Sequence, residues 1–133
     1  MIQHMTSPPK TGILLGLDVG NVWVGVAKSD LRQEIVWPMC TVRNNLFEPW
    51  MQQLQFQPVG IVVGWPLLMN DDEGPQCKSV ERFISRLRNV YQGHIIKHDE
   101  RLTTHHCQRL YGSDDDSFAA MVILQGFLET NQE

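Results

Sequence analysis

Three acidic residues stand where their surroundings give a carboxylate specific chemistry to do. Asp18 lies inside an apolar run, among Leu15, Leu17 and Val19. A charge in that setting needs a compensating partner, and the choice lies between a cap on the Gly20 turn and a bound cation. Glu100 follows directly on the run His94–His98 (HIIKH). That is the strand-end address from which α/β sheets deliver functional side chains, and it is equally an acidic turn ahead of a helix. Asp99 and Glu100 point in different directions if the strand continues, so only one of them faces a shared site. Asp116 closes the run Asp114-Asp115-Asp116. Ser113-x-x-Asp116 and an acidic first turn make good helix capping. Asp116 also stands four residues before Ala120 and eight before Leu124, on the inward stripe of the helix that follows, as Asp114 and Asp115 need not. Oxygen donors from two strands and one helix suit a hard cation, Mg²⁺ or Mn²⁺. A pair of such ions can activate a water and stabilise the leaving oxygen of a phosphodiester.

The elements that must position these groups follow from the apolar pattern. Gly12–Gly20 and Val22–Ala27 are short apolar runs separated by Gly20-Asn21, as in a hairpin. Ile35–Val42 is a third strand in which Pro38 marks an edge or a bulge. Residues 45–57 place Leu46, Phe47, Trp50, Met51 and Leu54 at helical spacing, with Asn44 or Asn45 as N-cap. Val59–Trp65 is apolar throughout, as expected of a strand covered on both faces. A turn-rich loop over 66–75 should leave the sheet edge near Asp18 and shape access. Helical spacing returns over Gln76–Tyr91, a strand over His94–His98, a short helix over Thr103–Tyr111 and a longer one over Asp116–Thr130. The order β-β-β-α-β-α-β-α-α describes an α/β fold, a mixed sheet flanked by helices.

The chain has 133 residues, 42% hydrophobic and 20% charged, which suits one domain with its own core. That domain is expected over residues 12–130, with a disordered polar tail over 1–11, kept outside the fold by Pro8-Pro9, and a C-terminal tail over 131–133. No apolar run approaches the length of a membrane span, and MIQHMTSPPK has no apolar core of the secretory kind. Cys40, Cys77 and Cys107 are odd in number and form no C-x-x-C pair, which argues against a disulfide framework and a thiolate zinc site. A cytoplasmic protein without membrane contact is the expectation.

The formal net charge of −4 requires any nucleic-acid partner to be met by a local basic surface. Lys78, Arg82 and Arg86 recur at i, i+4, i+8 opposite Phe83 and Leu87, a stripe that either tracks a phosphate backbone or is a solvated helix face. Arg101, next to Glu100, either holds a phosphate oxygen by paired hydrogen bonds or pairs with a neighbouring carboxylate. Trp65 reads as a base-stacking group or as packing, and His98 as a general base or as packing. His105-His106-Cys107 cannot share one ion, because consecutive helical residues diverge by about 100°.

Four segments, in this order, carry a resemblance. They are Leu15–Gly20 (LGLDVG) with Val24–Ala27 (VGVA) and Ser29-Asp30; Ile61–Leu67 (IVVGWPL); Asp99–Thr104 (DERLTT); and Asp116–Ala120 (DSFAA) with Ile123–Leu128 (ILQGFL). Together they span nearly all of the chain from Ile13. In these the chain resembles the YqgF/RuvX family, known as Holliday-junction-resolvase-like proteins and pre-16S ribosomal RNA nucleases. The resemblance implies a ribonuclease H-like fold, a mixed five-stranded sheet with three leading antiparallel strands. It also implies a divalent-metal nuclease, with the acidic positions falling on Asp18, Glu100 and Asp116. The expected activity is endonucleolytic cleavage of structured RNA with Mg²⁺ or Mn²⁺, two ions being usual for such chemistry, in maturation of the pre-16S 5′ end. The partners would be pre-rRNA or branched DNA and ribosomal particles, and the protein a monomer or weak homodimer. Holliday-junction resolution on branched DNA and non-catalytic binding of RNA or ribosomes are the alternatives. Two departures stand out. The family's usual D-x-G-T-K-R is replaced here by Asp18-Val19-Gly20-Asn21-Val22-Trp23, without the basic pair. The basic segment ahead of the last Asp is replaced by Tyr111-Gly112-Ser113-Asp114.

Overall fold

A computed structural model describes residues 7–100 and 116–130. Its elements are β1 (Leu14–Val19), β2 (Trp23–Ser29), β3 (Val36–Arg43), α1 (Phe47–Gln52), β4 (Gly60–Trp65), α2 (Pro75–Arg88), β5 (His94–Asp99) and α3 (Asp116–Thr130). The sheet order is β3-β2-β1-β4-β5. β1, β2 and β3 pair antiparallel, while β1, β4 and β5 run parallel. This is the expected α/β architecture, a mixed five-stranded sheet with helices on both faces. β4 is interior to the sheet and parallel to β1, so the loop after it leaves beside Asp18 as expected, from the middle of the strand order. β3 is an edge strand, and its register shifts between Val26 and Ala27, where Pro38 pairs. Edge and bulge are the two places a proline is tolerated in a sheet.

Strand alternation divides the core. Leu15, Leu17, Val19, Val24, Val26, Ile61 and Val63 pack on one face against Phe47 and Met51 of α1 and Val80, Phe83 and Leu87 of α2. Leu14, Ala27 and Val62 pack on the other against Ala120, Ile123, Leu124 and Phe127 of α3. On this second face α3 lies unusually close to the sheet. A Cβ added to Gly16 would stand 2.7 Å from Leu124 Cβ and 2.8 Å from Ala120 O, and one on Gly64 would stand 2.6 Å from Ile123 Cδ1.

Two expectations are corrected. The helix predicted over 45–57 is α1 alone, preceded by a 3₁₀ turn over Asn44–Leu46. Asn44 does not cap it, because its side chain is used elsewhere: Nδ2 donates to Gly20 O at 2.7 Å and Oδ1 accepts from Arg86 Nη1 at 2.6 Å. Nor does Pro8 stay outside the fold. It is buried against Gly60, and Gln33 Nε2 donates to Pro9 O at 2.8 Å, so part of the segment expected as a tail is fastened to the sheet. Among the described residues no helix is long and apolar enough to cross a membrane.

Candidate active site

Asp18 reaches the α3 face because Leu17 and Val19, its neighbours on β1, turn to the opposite core. Its cross-strand partner on β2 is Gly25. On the other side the register Leu17↔Val63 makes Gly64 the next residue on β4, and Gly64 in turn pairs with His98 on β5. Both neighbours of Asp18 in its row therefore lack side chains, and the two acidic partners come in above them. A Cβ on Gly25 would fall on the backbone carbonyl of Asp116 and within 2.8 Å of Asp116 Cβ. A Cβ on Gly64 would lie 3.4 Å from Glu100 Oε2. Asp18 and Glu100 stand at the C-terminal ends of parallel strands and Asp116 at the first turn of α3.

The electrostatics match this placement. Burial, and then the charge of Asp116, push the Asp18 carboxyl up to about 6. Burial, followed by the charges of Asp18 and Asp99, pushes Glu100 up to about 7. Groups so perturbed in one place are typical of functional sites. Carboxylates whose charge is disfavoured by burial and by one another suit a hard cation. The three are not closed around a point, however: among the described residues no group of three or more His, Cys, Asp or Glu stands at metal-ligand spacing. They are coupled in pairs through Asp18. Like charges in a buried site settle apart, and drawing them together requires side-chain rotation.

His98 lies on the same face, buried, with its ring edge-on to Phe127 at 6.2 Å. Its Nε2 has no hydrogen-bond partner, and burial lowers the pKa of the imidazole, favouring the neutral form. Trp65 is buried under the ammonium of Lys97, 4.1 Å from its ring centroid, and packs rather than offering a face to a base. Arg101, the predicted helix over Thr103–Tyr111, His105-His106-Cys107 and Asp114-Asp115 lie outside the described residues.

The basic stripe is only partly free, and it lies on the other side of the sheet. α2 packs against the face opposite α3. Lys78 lies in its first turn and Arg82 one turn further along. Both are exposed. Arg86 is committed elsewhere. Its guanidinium donates to both carboxylate oxygens of Glu48 at 2.8 and 2.7 Å and to Oδ1 and O of Asn44, each at 2.6 Å. It ties α2 to α1 and, through Asn44, to the β1–β2 turn. Arg86→Met is therefore expected to destabilise the fold by about 1–2 kcal/mol, allowing for partial exposure of the pair. Urea unfolding reads this, and the salt dependence of nucleic-acid affinity should stay that of the wild type.

Gly25 and Gly64 are site-forming residues that motif and charge pattern do not single out. Their signal was present, because a glycine within a strand marks a close approach by another group.

The family model described as RuvX, Holliday junction resolvase, matches residues 12–130. A protein of Thermoanaerobacter pseudethanolicus named "Putative pre-16S rRNA nuclease" is 37% identical over 135 residues, covering 90% of this chain and 97% of that protein. Proteins of the same name from Roseiflexus sp. (34% identical; 96% of this chain and 100% of that protein) and Bacillus mycoides (37%; 88% and 98%) are similar over comparable spans. Among solved structures the fowlpox virus Holliday junction resolvase shares the fold, with a TM-score of 0.50 at 10% identity over 89% of this chain and 98% of that one.

Proposed function

Since the chain belongs to the RuvX family of Holliday junction resolvases, we propose that it is a metal-dependent endonuclease of structured RNA, acting in the 5′ leader of pre-16S ribosomal RNA. The observation that carries this reading is the placement of Asp116 over Gly25 and Glu100 beside Gly64, the two side-chain-free flanks of Asp18. Three partly buried oxygen donors are brought to the same end of the α3 face from different elements. Asp18, Glu100 and Asp116 would together hold the metal, Mg²⁺ or Mn²⁺ being the fitting cations. Bound there, a divalent ion supplies the charge that makes a water nucleophilic and stabilises a leaving oxygen.

The chain's own residues do the rest. Burial at the strand ends keeps the carboxylates dry enough for their charge to act strongly. Arg101 would hold a phosphate oxygen, and Lys78 and Arg82 would meet more distant phosphates where the substrate passes around the sheet end. Residues 12–130 act as one unit, in the cytoplasm and on ribosomal precursor particles, as a monomer or weak homodimer.

Ligation requires ionised carboxylates, so protons compete with the cation. With Asp18 at about 6 and Glu100 at about 7, activity at limiting Mg²⁺ should climb as pH rises from 6 to 8. Excess Mg²⁺ should move that rise to lower pH, and initial rates at two Mg²⁺ concentrations check it.

The reading is tested by offering the protein a pre-16S 5′ leader and a four-way DNA junction side by side, with Mg²⁺ and with chelator. Metal-dependent cutting of the leader supports it. Cutting confined to the junction would make the protein a resolvase on branched DNA, and tight binding without turnover would make it a non-catalytic RNA-binding domain.

A further inference from the structure

The carboxylate face of the sheet carries a second feature beyond the end of α3. Trp23 opens β2 two residues before Gly25, so it points to the same face, about 7 Å further along the strand. Its cross-strand partner is Arg43, the last residue of β3. The Arg43 guanidinium carbon sits 5.0 Å from the Trp23 ring centroid. Trp23 is nevertheless 44% exposed, and Val22 beside it is exposed as well. Arg43 is also exposed and makes no salt bridge among the described residues. An indole left this open on a sheet forgoes nearly half of the burial that would explain it as core.

The backbone under this pair is held firmly. Gly20 N–H donates to Trp23 O at 2.9 Å, Asn44 N–H to Val22 O at 2.8 Å, and Asn44 Nδ2 to Gly20 O at 2.7 Å. The loop so fixed is the one that leaves Asp18. A strand whose phosphodiester lies at the carboxylates must extend past them along the face, and Trp23 and Arg43 stand next in that direction. The net charge of −4 makes long-range attraction of a polyanion weak, so short-range contacts carry more of the affinity.

We propose that Trp23 and Arg43 form a stacking platform for an unpaired nucleobase adjoining the cleaved bond, with Arg43 also holding the neighbouring phosphate. The ligand class rests on the nuclease reading above; the platform itself rests on the geometry of the pair. An indole accepts the face of any base, and a guanidinium stacked on it keeps hydrogen-bond donors free at its edge. It takes the place, on different chemistry, of the positive charge missing at Val22-Trp23.

The test uses the full chain in chelator, so that binding is read apart from cleavage, with a fluorescein-labelled single-stranded RNA of about 12 nucleotides. Trp23→Ala should weaken affinity about tenfold and Trp23→Phe by much less, since a smaller ring still stacks. Arg43→Ala should lower the salt slope of binding by about 0.7. Replacing the bases by abasic sites should erase the difference between wild type and Trp23→Ala. Equal affinity of wild type and Trp23→Ala for the normal strand, or a loss on Trp23→Ala that persists on the abasic strand, would overturn the platform. Absence of wild-type binding would do the same. If the wild type binds through Trp23 yet leaves RNA uncut with Mg²⁺, the nuclease reading falls and the platform stands. If it cuts RNA and Trp23→Ala binds and cuts equally well, the platform alone falls.

Discussion

Asp18→Asn is expected to abolish cleavage and, at the same time, to make the folded protein more stable above pH 7. The loss of activity follows from the position of Asp18 between the other two carboxylates. Without its charge a cation loses its central ligand, and forfeiting even ~4 kcal/mol of transition-state stabilisation slows the reaction about a thousandfold. The gain in stability follows from linkage. The Asp18 carboxyl stands at about 6 in the folded chain against an ordinary 3.8, and Glu100 at about 7 against 4.5. Raised values mean that the folded state holds these protons more tightly than the unfolded one. Their contribution is most favourable below about pH 4, erodes as pH rises, and is fully lost above about 7. Because the two groups are coupled and Glu100 is partly open to water, the combined effect comes to about 2–4 kcal/mol. A neutral amide at Asp18 removes its own share and relieves Glu100. Urea unfolding should show the variant more stable than wild type by about 1–3 kcal/mol at pH 8 and by nothing comparable at pH 4. Mg²⁺ should then raise the Tm of the wild type and leave that of Asp18→Asn unmoved. A variant less stable than wild type at pH 8 would mean that Asp18 is a turn cap whose charge the fold needs.

Gly25→Ala should be the most damaging added methyl among the described glycines. The added carbon would fall on the backbone of Asp116. A flexible side-chain tip could swing aside, but here the obstacle is the first turn of α3, and helix and sheet must part. Overpacking of this kind destabilises by about 1–3 kcal/mol, at the upper end when backbone is in the way. The kinetic effect should match the thermodynamic one, because the displaced residue is itself a candidate ligand. A shift of about 1 Å in a reacting group slows catalysis on the order of a hundredfold. Gly16→Ala is the matched comparison. It also forces α3 outward, against Leu124 and Ala120 O, but one turn or more away from Asp116. Comparable losses of stability with a much larger loss of kcat in Gly25→Ala would separate positioning from packing. Chemical unfolding and single-turnover cleavage give the two numbers.

The carboxylates were legible in the sequence because each violated its local pattern: an Asp within an apolar strand, a Glu at a strand end, an Asp on the buried stripe of a helix. The sheet was legible for a similar reason. Hairpin, bulge-marking Pro38 and the alternation of apolar runs with helical spacing each left a local trace, and the resemblance then pointed to the ribonuclease H-like fold. What was not legible depends on which face each element takes. Periodicity puts Lys78, Arg82 and Arg86 on one stripe but does not say that α2 covers the face away from Asp18. It is equally silent on Glu48, thirty-eight residues away, as the partner that claims Arg86. Asn44 looked like a cap because its type and position suit one, yet tertiary partners claimed its side chain first. Gly25 and Gly64 show the same limit from the other side. A glycine reports that something comes close, and only the fold shows that the visitors are Asp116 and Glu100.

The central claim is that Asp18, Glu100 and Asp116 close on a common divalent cation. Crystals of the full chain soaked in Mn²⁺, with diffraction recorded at the manganese edge, test it most directly. An anomalous peak is expected on the α3 face of the sheet, with oxygens of all three carboxylates about 2.0–2.6 Å away. A fully soaked crystal with no peak there, or with manganese held by other residues while Asp18 keeps only the Gly20 turn for company, would contradict it.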